Sequence, residues 1–117
     1  MAEVARIYIK RGSGMTTSAA ALATGLIASE LKVYYVVPLR KDIDLVPHNI
    51  PRDIIKHAEH IGWLRRGCPD VYVIDDAIRC DEVLSLHREG SLLNLSQNRL
   101  SHHDDSFTRI YLFQHTI

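Results

Sequence analysis

Hydrophobic positions along the chain switch between two spacings. Short runs rich in β-branched and aromatic residues at Ala5–Ile9, Lys32–Pro38, Asp70–Asp75 and Phe107–Phe113 predict four strands. The second and third runs are continuously apolar, as in strands buried on both faces of a parallel sheet. Between them the spacing turns helical. Ala19, Leu22, Leu26 and Ile27 predict a helix from about Met15 to Leu31, made largely of small residues that let it lie close to a sheet. Asn49-Ile-Pro51 opens a second predicted helix, Arg52–Trp63, with Ile54, Ile55, Ala58 and Ile61 on one side. Val83, Leu84 and Leu86 predict a third over Cys80–Glu89, and Leu92–Leu100 a weaker one. A polar connection, Arg40–Asn49, and a loop, Ser101–Ser106, complete the pattern. Strands and helices that alternate in this way predict an α/β fold with a mostly parallel sheet of about four strands covered by helices.

The 117 residues suit a single domain, residues 1–117. Fourteen Lys and Arg balance fourteen Asp and Glu, and 46% of the residues are apolar. That balance excludes a disordered tail, a polybasic nucleic-acid arm and an acidic decoy. The longest nearly apolar runs, Ala19–Ala28 and Val33–Leu39, fall short of the roughly 20 residues that span a bilayer, so no membrane partner is expected. Met1–Arg6 carries an acid and a base and does not read as a secretory start. Cys68 and Cys80 form no disulfide framework, and reduced thiols point to the cytoplasm.

Candidate chemistry begins where the first strand meets the first helix. Lys10-Arg-Gly12-Ser13-Gly14 is a glycine turn, and Met15-Thr16-Thr17 opens the helix behind it. Backbone N–H groups in such a turn, together with the helix N-terminus, bind phosphate. The alternative is a turn whose glycines serve backbone geometry alone. A second candidate is the third strand, which ends in the adjacent carboxylates Asp75 and Asp76. An Asp pair also commonly caps the turn into a following helix. Its position, about 60 residues after the glycine turn, is the spacing of phosphate-binding α/β architecture.

Residues Arg11–Ser18 resemble the second half of a Walker A loop, G-x-x-x-x-G-K-[ST], with Gly14 as its last glycine and Thr16 at the hydroxyl position that meets Mg²⁺. Ile9 stands where the first glycine belongs, and Met15 stands where the lysine belongs. Lys10 occupies the place of the additional signature lysine of ParA/MinD-type proteins. With Asp75 and Asp76 after one strand, then Arg99, then a strand ending in Gln114, the chain is similar to the DNA-pumping ATPases of the FtsK/HerA class and to viral genome-packaging ATPases. The resemblance spans nearly the whole chain, but each of its motifs is of low specificity.

This resemblance implies a three-layer, P-loop-like sandwich that binds ATP and Mg²⁺. Lys10, Gly12, Ser13, Gly14, Thr16 and Thr17 would lie at the phosphates, with Thr16 and Asp75 at the metal. Asp76 and Gln114 would position water, and Arg99 would act towards a neighbouring subunit's nucleotide. Turnover would be slow without a lysine at position 15, and nucleic acid would be the motor's partner, although the neutral charge lends that no support. In that family the first strand lies between the fourth and a fifth. This sequence holds no fifth strand after Ile117, so self-association or a partner protein is expected at the first-strand edge.

Two other readings stay open. Ile9, Met15 and the missing fifth strand favour a non-catalytic α/β assembly module. A phosphorylated-metabolite enzyme with a flavodoxin-like sheet would use the same glycine turn. His57 and His60, one turn apart on a predicted helix, and the run His102–Asp105 read as solvated residues rather than zinc ligands.

Overall fold

The computed structural model of the chain describes residues 2–60, 69–86 and 108–116. Five strands and two α-helices appear in the order β1 (Ala2–Ile9), α1 (Met15–Ala28), β2 (Val33–Val37), β3 (Ile55–His57), β4 (Val71–Asp75), α2 (Ala77–Leu86) and β5 (Thr108–His115). The strands form one sheet in the order β1-β5-β4-β2-β3, and every pairing is parallel. The expected α/β class and parallel sheet are therefore present, with five strands in place of about four.

Strand alternation sorts the side chains into two cores. Val33, Tyr35 and Val37 of β2, Val71 and Val73 of β4, and Phe113 of β5 pack with Met15, Ala19, Ala20 and Ala23 of α1. The intervening residues Val36, Tyr72, Ile74, Ile110 and Leu112 pack with Ala77, Cys80, Val83 and Leu84 of α2. Alanine on the buried stripe of α1 brings that helix down across β2, β4 and β5. This is the close approach the small-residue composition predicts.

The added strand corrects the second helix. Within the described residues, the segment read as a helix from Arg52 is a 3₁₀ turn, Arg52–Ile54, followed by β3. Pro51 starts the turn, but Ile55 then pairs with Tyr35 and His57 with Val37. The β-branched Ile55, beside an unpaired edge of β2, gains more from ladder hydrogen bonds than from continuing a helix. His57 therefore stands on a strand, and the two histidines share no helix. The helix's distal end with Trp63, the predicted helix Leu92–Leu100, the loop Ser101–Ser106 and Cys68 lie outside the described residues.

The polar connection after β2 is more structured than its composition suggests. It forms a 3₁₀ helix, Arg40–Leu45, and then buries Val46 and Ile50 completely. Arg52 ties it down by donating to the carbonyls of Ile43, Val46 and Pro47. Asp42 accepts a hydrogen bond from the Leu39 N–H at 3.0 Å, which fixes its carboxylate at the carboxyl end of β2. No helix among the described residues is long and apolar enough to cross a membrane.

Two glycines of the α1 region should respond oppositely to alanine. Gly14 caps α1 in the left-handed conformation, φ 75° and ψ 61°. A Cβ there would meet only ordinary contact with Thr17 at 3.6 Å, so the penalty is that of the backbone. Gly14→Ala should therefore cost about 1–2 kcal/mol in denaturant melts. Gly25, inside α1 with open space around its missing Cβ, should instead gain about 0.5–1 kcal/mol as Gly25→Ala.

Candidate functional site

The carboxyl ends of parallel strands are where open α/β sheets collect ligands. Here the glycine turn, the acidic end of β4 and the end of β5 reach that edge together. The turn is built by a hydrogen bond from the Ser13 N–H to the Lys10 carbonyl at 3.0 Å. Gly12 supplies φ 81° at its third position, the left-handed value a type II turn requires. Gly14 then starts α1 without any side-chain cap, and no acidic residue lies in the first turn. The opening amides of α1 thus have neither an intrahelical acceptor nor a capping side chain.

Thr16, in the first turn of α1, meets Asp75. Thr16 and Asp75 line a common small cavity, and Tyr35 of β2 donates its hydroxyl to Asp75 Oδ2 at 2.8 Å. The same tyrosine oxygen lies 3.5 Å from the Thr16 carbonyl. Only 5% of the Asp75 surface is exposed. Burial pushes its carboxyl above the ordinary aspartate value, and the Tyr35 hydroxyl and the neighbouring Thr16 pull it partly back. Tyr35 is pushed above the ordinary tyrosine range, first by burial and then by the neighbouring carboxylate, so it is a neutral donor.

Asp76 has φ 60°, a left-handed conformation uncommon outside glycine. Its carbonyl accepts the Cys80 N–H at 3.0 Å, so the residue both ends β4 and opens α2. Cys80 is a buried free thiol 3.5 Å from the Asp75 carbonyl. Burial, and then the Asp75 and Asp76 charges, hold it well above the ordinary thiol value, which leaves it unreactive.

Two cavities adjoin these groups. The smaller, about 100 Å³, is lined by Thr16, Asp42, Asp75, Asp76 and Arg79 together with apolar side chains. The larger, about 530 Å³, is lined by Arg11, Asp76, Ile78, Arg79, Glu82, His115 and Thr116. Asp76 and Arg79 belong to both walls. A space of the second size accommodates a small organic ligand, and one of the first size accommodates a hydrated ion.

The other expected site residues lie elsewhere. Met15, at the lysine position, is 7% exposed and packs into the core beneath α1. Lys10, Ser13 and Thr17 are exposed, and none of them lines either cavity. Gln114 is buried, and its Oε1 accepts from Arg6 Nη1 at 3.2 Å. Strand alternation sets it on the face of Ile110 and Leu112, opposite to that of Val73 and Asp75. Arg99 lies outside the described residues.

Tyr35, Asp42 and Arg79 are site residues that sequence reasoning missed. A tyrosine in a wholly apolar strand does carry a signal, because its buried hydroxyl needs a partner. Arg79 stands one helical turn beyond the acid pair, a position that projects back towards it. Asp42 carried no such signal in its polar connection.

No protein-family model matches the chain, and no curated protein or solved structure matches it. Among the described residues, no group of three or more His, Cys, Asp or Glu side chains is placed to hold a metal ion.

Proposed function

We propose that the chain is a P-loop-like, three-layer α/β domain that binds a nucleoside triphosphate with Mg²⁺ at the carboxyl ends of β1 and β4. The convergence of Thr16 and Asp75 on one cavity, with the Tyr35 hydroxyl between the Thr16 carbonyl and Asp75 Oδ2, carries this reading, because it joins the glycine turn to the acidic strand end. The strand order supports it as well. β5, the last strand, is inserted between β1 and β4, as in the ATPases the sequence resembles.

In this reading the amides of Gly12–Thr17 bind the β- and γ-phosphates, and Thr16 and Asp75 hold the cation. The cation neutralises phosphate charge when bound. Asp76, at its left-handed bend beside both cavities, orients the attacking water. Gln114, engaged by Arg6 on the other face of the sheet, receives no role in the reaction. With Met15 turned into the core, hydrolysis is slow. The chain then serves in a cytoplasmic assembly acting on nucleic acid. Among the described residues β1 forms a sheet edge, and a partner strand or a second copy of the chain covers it.

One observation favours the assembly-module reading instead. Met15 contributes to folding where a lysine would contribute to binding. A melt separates the two. Mg-ATP at one hundred times its Kd should raise Tm by roughly 10 °C. An unchanged Tm at millimolar Mg-ATP would leave the assembly module as the answer.

A further inference from the structure

A nucleotide site without the Walker lysine needs another source of positive charge. Position 15 does not provide it, because Met15 is packed beneath α1. Lys10 is exposed and lines neither cavity. Two guanidinium groups remain on the walls of the larger cleft, Arg11 from the glycine turn and Arg79 from the first turn of α2. Arg79 also lines the small cavity beside Thr16 and Asp75, so one side chain borders both the cation seat and the ligand-sized space.

Its present bond is loose. Arg79 Nη1 lies 3.8 Å from Asp42 Oδ2, and the Arg79 side chain is 45% exposed. A single contact of that length from a half-exposed side chain holds a guanidinium weakly, whereas phosphate oxygens can take two parallel N–H bonds from it. We infer that Arg79, assisted by Arg11, is the polyphosphate-binding cation of this domain and replaces the lysine missing at position 15.

Asp76 and Glu82 set the ligand class, because they add two carboxylates to the walls that carry the two arginines. A bare polyanion gains little from such a balanced cleft. A polyphosphate arriving with its divalent cation meets arginine at its outer oxygens, while the cation offsets its repulsion from Asp76 and Glu82. The ligand expected is therefore a Mg²⁺-bound tri- or diphosphate, read through its phosphate chain rather than through its base. This inference rests on the nucleotide-binding reading and deepens it.

The test is equilibrium binding of Mg-ATP, Mg-tripolyphosphate and AMP to the full chain, as wild type, Arg79→Ala and Arg79→Lys. Wild type should bind Mg-ATP and Mg-tripolyphosphate alike and AMP at least tenfold more weakly. Arg79→Ala should weaken Mg-ATP by about tenfold or more and leave AMP unchanged. Arg79→Lys should recover part of the loss, since it keeps the charge without the paired donors. The ligand-free melt of Arg79→Ala should stay within about 2 °C of wild type, because Arg79 makes one long contact and Asp42 keeps its bond from the Leu39 N–H. Wild-type affinity for Mg-ATP left intact in Arg79→Ala, or lost equally for AMP, would overturn the role of Arg79 while the nucleotide reading stood. Wild type that binds AMP as well as Mg-ATP would overturn recognition of the phosphate chain. Wild type that binds none of the three would sink both.

Discussion

Asp75→Asn is expected to abolish Mg-nucleotide binding and at the same time to make the ligand-free protein more stable at neutral pH. Both effects come from one buried carboxylate. Burial raises its pKa in the folded chain above the ordinary 3.8, so the folded state holds the Asp75 proton more tightly than the unfolded state does. The stabilising contribution of that proton is complete below the unfolded value. It is lost as the pH rises through the folded value, and near pH 7 the ionised form opposes folding. Asparagine keeps the shape and an acceptor for Tyr35 but has no charge to desolvate. The gain should be on the order of 1 kcal/mol at pH 7 and should vanish towards pH 4, read as the difference between wild-type and variant melts across that range. The same change removes the anionic oxygen of the proposed cation site, so Mg-ATP should no longer raise Tm. A variant that is less stable at pH 7 than at pH 4, relative to wild type, would show that Asp75 contributes to folding rather than opposing it.

Tyr35→Phe should act in the other direction. Removing the hydroxyl takes away the 2.8 Å donor from a carboxylate that is already short of water, and it does so inside a core where Tyr35 is fully buried. A buried acceptor that loses its partner costs about 1–3 kcal/mol. Because the tyrosine bond favours the ionised carboxylate, its loss raises the Asp75 pKa further. The destabilisation should therefore be larger at pH 7 than near pH 4, where the protonated acid depends less on a donor. Combining Tyr35→Phe with Asp75→Asn should recover part of the loss, since an amide beside phenylalanine leaves no charge unpaired. Strict additivity of the two changes in denaturant melts would show that the pair does not interact.

The regular elements were legible because each carried its own period. β1, β2, β4 and β5 stand out as β-branched and aromatic runs, and α1 as a stretch of small helix formers. β3 was hidden because Ile54 and Ile55 fit a helical stripe as well as a strand, and only pairing with Tyr35 of β2 decides between them. The site was legible to the same degree. Thr16 and Asp75 could be singled out from spacing, since each ends or begins an element whose position the pattern fixes. Gln114 was expected beside them, but strand alternation carries it to the other face, where Arg6 takes its oxygen. A match to a motif at a strand end does not say which way the side chain turns. Tyr35 and Asp42 come to Asp75 from β2 and the 3₁₀ connection, 40 and 33 positions away, where no local spacing connects them, whereas Arg79 lies within one helical turn of it.

A calorimetric titration of ATP into the wild-type chain, run once with Mg²⁺ and once with EDTA, is the most direct trial of a shared pocket for phosphate and cation. The expected result is a saturable isotherm in Mg²⁺ that weakens at least tenfold in EDTA. The contradicting result is identical behaviour in the two buffers, whether as equal affinity or as no heat at millimolar nucleotide.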